Sequence, residues 1–72
     1  MTKLGEFLLR RQVNKALLAR TTGLTTSRIR DLTLKPEARP MGFEIYLIAL
    51  AIDADLNDLA KTIYSDLKLD SK

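Results

Sequence analysis

KALLARTTGLTTSRIRDLTL, running from Lys15 to Leu34, decides how this chain is read. Ala19 is followed four positions on by Gly23 and six further on by Ile29. Two short helices that cross steeply through a tight turn need this combination. Ala19 is small enough for the second helix to approach closely, and Gly23 takes the positive-φ turn at little steric cost. Ile29 and Leu32 then seat the second helix on the core. Such a pair leaves one helix exposed, in the arrangement that enters the major groove of DNA.

Working outward, helix signals recur along the chain. Thr2 is a suitable N-cap for a first helix from Lys3 to about Arg11, with Leu4, Phe7 and Leu8 at helical spacing. Asn14 caps a second helix, Lys15 to about Thr22, and Thr25 caps a third, Thr26 to about Thr33. Pro36 and Pro40 bracket a loop from Lys35 to Pro40, since neither suits a helix interior. The fourth helix, near Gly42 to Ile52, contains FEIYLIALAI and is apolar on nearly every side. Asp55 is the expected cap of a fifth, whose stripe is Leu56, Leu59, Ala60, Ile63 and Leu67. The tail after about Leu67 is expected to fray. With no strand pattern or internal repeat, the expectation is a single all-α domain over residues 1–72, five short helices with a helix-turn-helix at about 15–34.

Seventy-two residues can bury only a small core. The chain has no cysteine and no histidine, so neither a disulfide nor a zinc site of the usual ligands can staple it. The basic opening Met1-Thr2-Lys3 lacks the apolar run of a signal peptide, and no stretch nears the roughly 20 apolar residues that span a bilayer. The expectation is a cytoplasmic protein with no membrane contact. Net charge is +3, unevenly placed. Residues 1–35 hold eight basic and two acidic side chains, a net of +6; residues 36–72 hold four and seven, a net of −3. The positive half contains the helix-turn-helix pattern, as an electrostatic footprint for phosphate would require. The competing explanation is a solvated face that happens to be basic.

LGEFL near the start, NKALLARTTGLTTSRIRDL, and later IYLIALAIDADLNDL resemble the Cro/C1-type helix-turn-helix (XRE) family of phage repressors and bacterial regulators. The resemblance covers about Leu4 to Ile63. It implies a five-helix repressor-like fold whose third helix enters the major groove, usually as a dimer. Thr26, Ser27, Arg30 and Asp31 share one face of that helix, opposite Ile29 and Leu32, and match the family positions that reach base edges. Arg30 can pair with guanine O6 and N7; Thr26 and Ser27 can donate, accept, or offer a methyl to thymine. Asp31 could accept from cytosine N4, repel phosphate to set register, or orient Arg30. Phosphate contacts, which position without reading sequence, are expected from Asn14 and Lys15 at the start of the second helix. Thr25 and Arg28 could clamp the other side of the groove, with Lys35 and Arg39 following from the loop. Capping alone also accounts for Asn14 and Thr25.

Departures from the family pattern carry information. Many members have Arg at the position of Leu8 and Glu at that of Thr33, an ion pair missing here at both ends. Losing both partners can be nearly neutral, whereas losing one strands a charge. Leu34-Lys35-Pro36 stands where Asn-Gly is common, and Asp53 takes a helix-end position often held by Gly. Leu9 and Leu17 occupy positions that are usually polar. Phe43, Leu47 and Leu50 lie on the face of the fourth helix away from Ile45, Ile48 and Ile52. Either the fifth helix covers that face within one molecule, or these residues form a seam with a second copy or a partner protein.

An enzyme is not expected. Gly-rich phosphate loops are absent, the carboxylates are dispersed, and Asp53, Asp55 and Asp58 read as a helix end and its cap rather than a calcium loop. No metal or cofactor is implied. The expected function is a sequence-specific DNA-binding transcriptional regulator, a repressor acting by occupancy of double-stranded DNA. The alternative is a protein-interaction module, such as an antitoxin that docks a partner protein.

Overall fold

A computed structural model describes residues 1–67 and 69. Its helices follow from local chemistry. Thr2, extended at the N-cap, accepts the Gly5 N–H and starts α1, Lys3–Arg10. Asn14 accepts the Leu17 N–H and starts α2, Lys15–Thr22, which Gly23 ends at φ 81°. Thr25 accepts the Arg28 N–H and starts α3, Thr26–Leu34. α4 spans Gly42–Ala51 and α5 spans Leu56–Ile63. Among the described residues these five helices are the regular structure, and none is long and apolar enough to cross a membrane.

Each helix packs against two others, closing a ring in the order α1, α3, α2, α4, α5 and back to α1. Leu8, Ile29, Leu32, Ile48 and Leu59 fill its centre, with no more than 2 % of their surface exposed. Full burial of such side chains contributes roughly 1.5–3 kcal/mol each. Ala19 is also buried, on a helix that packs against both α3 and α4.

Two junctions place α3. At one end is the Gly23 turn. At the other, the Thr2 N–H donates to the Thr33 carbonyl (2.9 Å) and the Thr2 hydroxyl donates to the Leu32 carbonyl (2.7 Å). Thr2 therefore caps α1 and stitches it to the last turn of α3. Gly5 lies so near the Thr33 carbonyl that a side chain there would overlap it. That close approach was not legible in the sequence, because it depends on a residue 28 positions away. Leu8 and Thr33 are both buried, and Thr33 donates its hydroxyl to the Arg30 carbonyl at 3.0 Å. No buried polar side-chain atom is stranded there.

Asp53 has φ 56°, as its helix-end position suggested, and Gln12 after α1 has φ 57°. At both sites the next N–H reaches five residues back, Val13 to Leu8 at 3.0 Å and Ala54 to Ala49 at 2.9 Å. These are Schellman-type stops with a non-glycine residue in the left-handed position. The fifth helix differs from its sequence reading. Asp55 stands at the N-cap without a side-chain hydrogen bond. Leu59 is fully buried, but Leu56 is 41 % exposed, and Leu67, past the helix end, is 68 % exposed. The fraying expected after Leu67 falls largely outside the described residues.

Candidate nucleic-acid interface

α3 turns Ile29, Leu32 and Thr33 inward and leaves Thr26, Ser27 and Arg30 exposed. These three share the outward side because residues three and four apart lie above one another on a helix. Leu34, 45 % exposed, continues the row four residues beyond Arg30. It was not picked out from sequence, where a leucine at the helix end looks like core. On this face it is an exposed apolar group beside the hydroxyls and the guanidinium.

Asp31 is half-buried, and its carboxylate lies 3.4 Å from the Lys35 ammonium. It therefore pairs with Lys35 one turn on, not with Arg30. The pair also ties up part of the charge that Lys35 was expected to bring to phosphate.

Arg28 departs most from expectation. Its Nε donates to Glu44 Oε2 at 2.7 Å, and its Nη2 donates to Glu44 Oε1 at 2.9 Å and to the Arg39 carbonyl at 3.1 Å. The fork expected to clamp phosphate is spent inside the molecule, leaving only the Nη1 donors. Glu44 forces this arrangement. It is 4 % exposed, sits on the first turn of α4, and needs a cation to be ionised there. Oε1 also accepts the Met41 N–H at 2.7 Å, capping α4. The hydrogen bonds from Arg28 hold the Glu44 carboxyl below the usual glutamate range, against the opposing effect of burial, and the same bonds raise Arg28. Glu44 gave no sequence signal of its own, since a glutamate on the first turn of a helix is ordinary.

The remaining expected residues lie near the ends of α2 and α3. Asn14 and Lys15 are exposed at the start of α2, with Asn14 Oδ1 taken by the Leu17 N–H at 3.1 Å. Thr25 is exposed at the start of α3, its hydroxyl oxygen accepting the Arg28 N–H at 3.0 Å. Both caps keep a donor free, the Asn14 amide and the Thr25 hydroxyl hydrogen. Arg39 is exposed beside α3, its carbonyl bound by Arg28. Arg20 is a further exposed cation on α2. Two helix N-termini, three hydroxyls and several guanidinium or ammonium groups thus occupy α2, α3 and the loop after them. The chemistry suits anions and base edges.

The expected partner residues divide. Phe43 is 58 % and Leu50 61 % exposed, Leu47 is half-buried, and Leu17 is exposed on the neighbouring helix α2. α5 does not cover this face. Tyr46, 53 % exposed, belongs to it and was missed because a tyrosine within an apolar run reads as core. Leu9 is exposed but stands on α1, which does not pack against α4, so it lies apart from the others.

No protein-family model, curated protein or solved structure matches the chain. Among the described residues there is no cluster of acidic side chains fit to hold a metal ion.

Proposed function

We propose that this chain is a sequence-reading DNA-binding regulator of the Cro/C1 type, which inserts α3 into the major groove and represses by occupancy. The observation that carries the reading is the exposed row Thr26, Ser27, Arg30 and Leu34 on a helix seated by a Gly23 turn. Thr26 and Ser27 supply hydroxyls to base edges, and Arg30 supplies the bidentate fork that suits guanine. Asn14 and Lys15 flank the row from α2, where the helix N-terminus adds its partial positive charge. Asp31, held by Lys35, acts as a negative post at the edge of the face and disfavours phosphate there. Arg28 contributes by holding α3 to α4 and the loop. Such a regulator works where the DNA is, in the cytoplasm.

The test is fluorescence anisotropy of a labelled random-sequence duplex titrated at two salt concentrations. Micromolar binding with a log–log salt slope of about −3 to −5 is expected, corresponding to about four or five neutralised phosphates. No binding at low salt would reduce the basic face to a solvated surface. The protein-docking alternative, favoured by the bare outer face of α4, would then take first place.

A further inference from the structure

We propose that the groove between the start of α1, the loop after α3 and the end of α5 binds a small apolar monocarboxylate. The carboxylate takes the Arg39 guanidinium, and the body of the ligand lies on the apolar lining. The groove measures about 580 Å³, within the range of small-molecule sites and ample for a chain of roughly eight carbons. Leu4, Leu32, Pro36, Pro40, Ile63 and Tyr64 line it. Leu4 and Leu32 belong to the core, so the groove opens onto the interior of the molecule.

The polar lining selects the occupant. It consists of Thr2, Lys3, Arg39 and Asp66, and three of these are already satisfied. The Thr2 hydroxyl donates to the Leu32 carbonyl at 2.7 Å and accepts the Gly5 N–H at 3.0 Å. Lys3 Nζ donates to Ser65 Oγ at 2.6 Å and stands 3.6 Å from Asp66 Oδ1, so these two charges offset each other. Arg39 differs. Its carbonyl is held by Arg28 at 3.1 Å, and the Ala38 N–H donates to the Lys35 carbonyl at 3.0 Å, which fixes the backbone beneath it. Its guanidinium forms no ion pair among the described residues. A ligand with one negative charge and a carbon body matches one unspent fork above an apolar lining. A cation would meet Arg39 as a like charge, and a second negative charge would face Asp66.

The site also regulates, a consequence that rests on the DNA reading. Arg39 is among the groups offered to phosphate beside α3. A carboxylate that occupies its fork withdraws one cation from the duplex, so ligand and DNA oppose each other.

An NMR titration of the full ¹⁵N-labelled chain with sodium octanoate, without DNA, tests the site independently of the DNA reading. Amide shifts should cluster at Leu4, Leu32, Ala38, Arg39, Ile63 and Tyr64, with half-saturation at about 1 mM. Arg39→Gln should weaken octanoate at least threefold and leave 1-octanol unaffected. Leu67→Ser, on the exposed edge of the groove, should weaken both. Both side chains are exposed, so both variants should keep the wild-type melting temperature. Shifts scattered over the surface, or centred on Phe43 and Leu50, would overturn the site. Full octanoate affinity in Arg39→Gln would overturn the role of the guanidinium. With the duplex present, saturating octanoate should reduce the salt slope by about 1 relative to equal acetate, and should change nothing in Arg39→Gln. An unchanged slope in the wild type would overturn the regulatory role alone. A wild type that binds no duplex would remove that role together with the DNA reading, and the carboxylate site would stand or fall by its shifts.

Discussion

α3 and α4 are nearly equal in length and opposite in what they show to solvent. α3 buries Ile29, Leu32 and a threonine and exposes hydroxyls and a guanidinium. α4 exposes Phe43, Tyr46 and Leu50 and buries a glutamate. The buried polar groups are satisfied differently too. Thr33 bonds to its own helix, at the Arg30 carbonyl, whereas Glu44 depends on an arginine 16 residues away. A helix whose polar groups are served locally can be read from its pattern. One whose inner charge is served by a distant partner cannot.

The largest expected effect sharpens this contrast at two glycines, one in α1 packed against the end of α3 and one at the start of α4. Gly5→Ala would drive a methyl into the Thr33 carbonyl at the end of α3, and should destabilise by about 3 kcal/mol in a urea melt. Gly42→Ala at the start of α4 meets open space and should be neutral or stabilising, by at most about 1 kcal/mol. Equal effects would mean that α1 does not seat α3 as described.

Next comes the link between the two helices. Glu44→Ala leaves Arg28 and the Met41 N–H without their acceptor and should cost about 2 kcal/mol. Because Arg28 holds the folded-state value of Glu44 below that of the unfolded chain, the unfolded state binds more protons in between. The contribution of Glu44 is thus present above the usual glutamate value, about 4.3, and is lost as pH falls through the lower folded value. Glu44→Gln should flatten that part of the acid melting profile; an unchanged profile would remove Glu44 from the link.

A smaller effect separates reading from holding. Arg30→Ala should relax base preference at one position of a selected site, costing roughly 1–2 kcal/mol there. Lys15→Ala should weaken all sequences alike and reduce the salt slope by about 1. Arg28→Ala should lower the melting temperature without that change in slope, because its fork is spent on Glu44 and Arg39. A slope change for Arg28 equal to that for Lys15 would return it to the phosphate backbone. The smallest effect belongs to α4: Leu50→Glu, on an exposed side, should move stability by less than about 0.5 kcal/mol.

Much of the fold was legible because its signals are short-range. Thr2, Asn14 and Thr25 cap helices within three residues of themselves, and Gly23 and Asp53 take the left-handed values their helix-end positions called for. The exposure of Thr26, Ser27 and Arg30 on α3 followed from helical period, whereas Leu34 and the half-buried Asp31 did not. Asp55 and Leu56 read less well, since a cap and a stripe at a helix start compete with solvent and the structure satisfies neither fully. Gln12 was not legible because glutamine is an uncommon left-handed residue, held here by the hydrogen bonds that close α1.

By itself the sequence determined where α1, α2 and α3 begin, that Leu4, Phe7, Leu8, Ala19, Ile29 and Leu32 turn inward, and which half is basic, because capping, period and charge act within a few residues. Only the tertiary structure decided that Arg28 serves Glu44 rather than solvent, that Gly5 must be bare, and which side of the uniformly apolar α4 faces outward. Those outcomes depend on what the ring of helices brings within about 3 Å across long stretches of chain, and no local pattern encodes that distance.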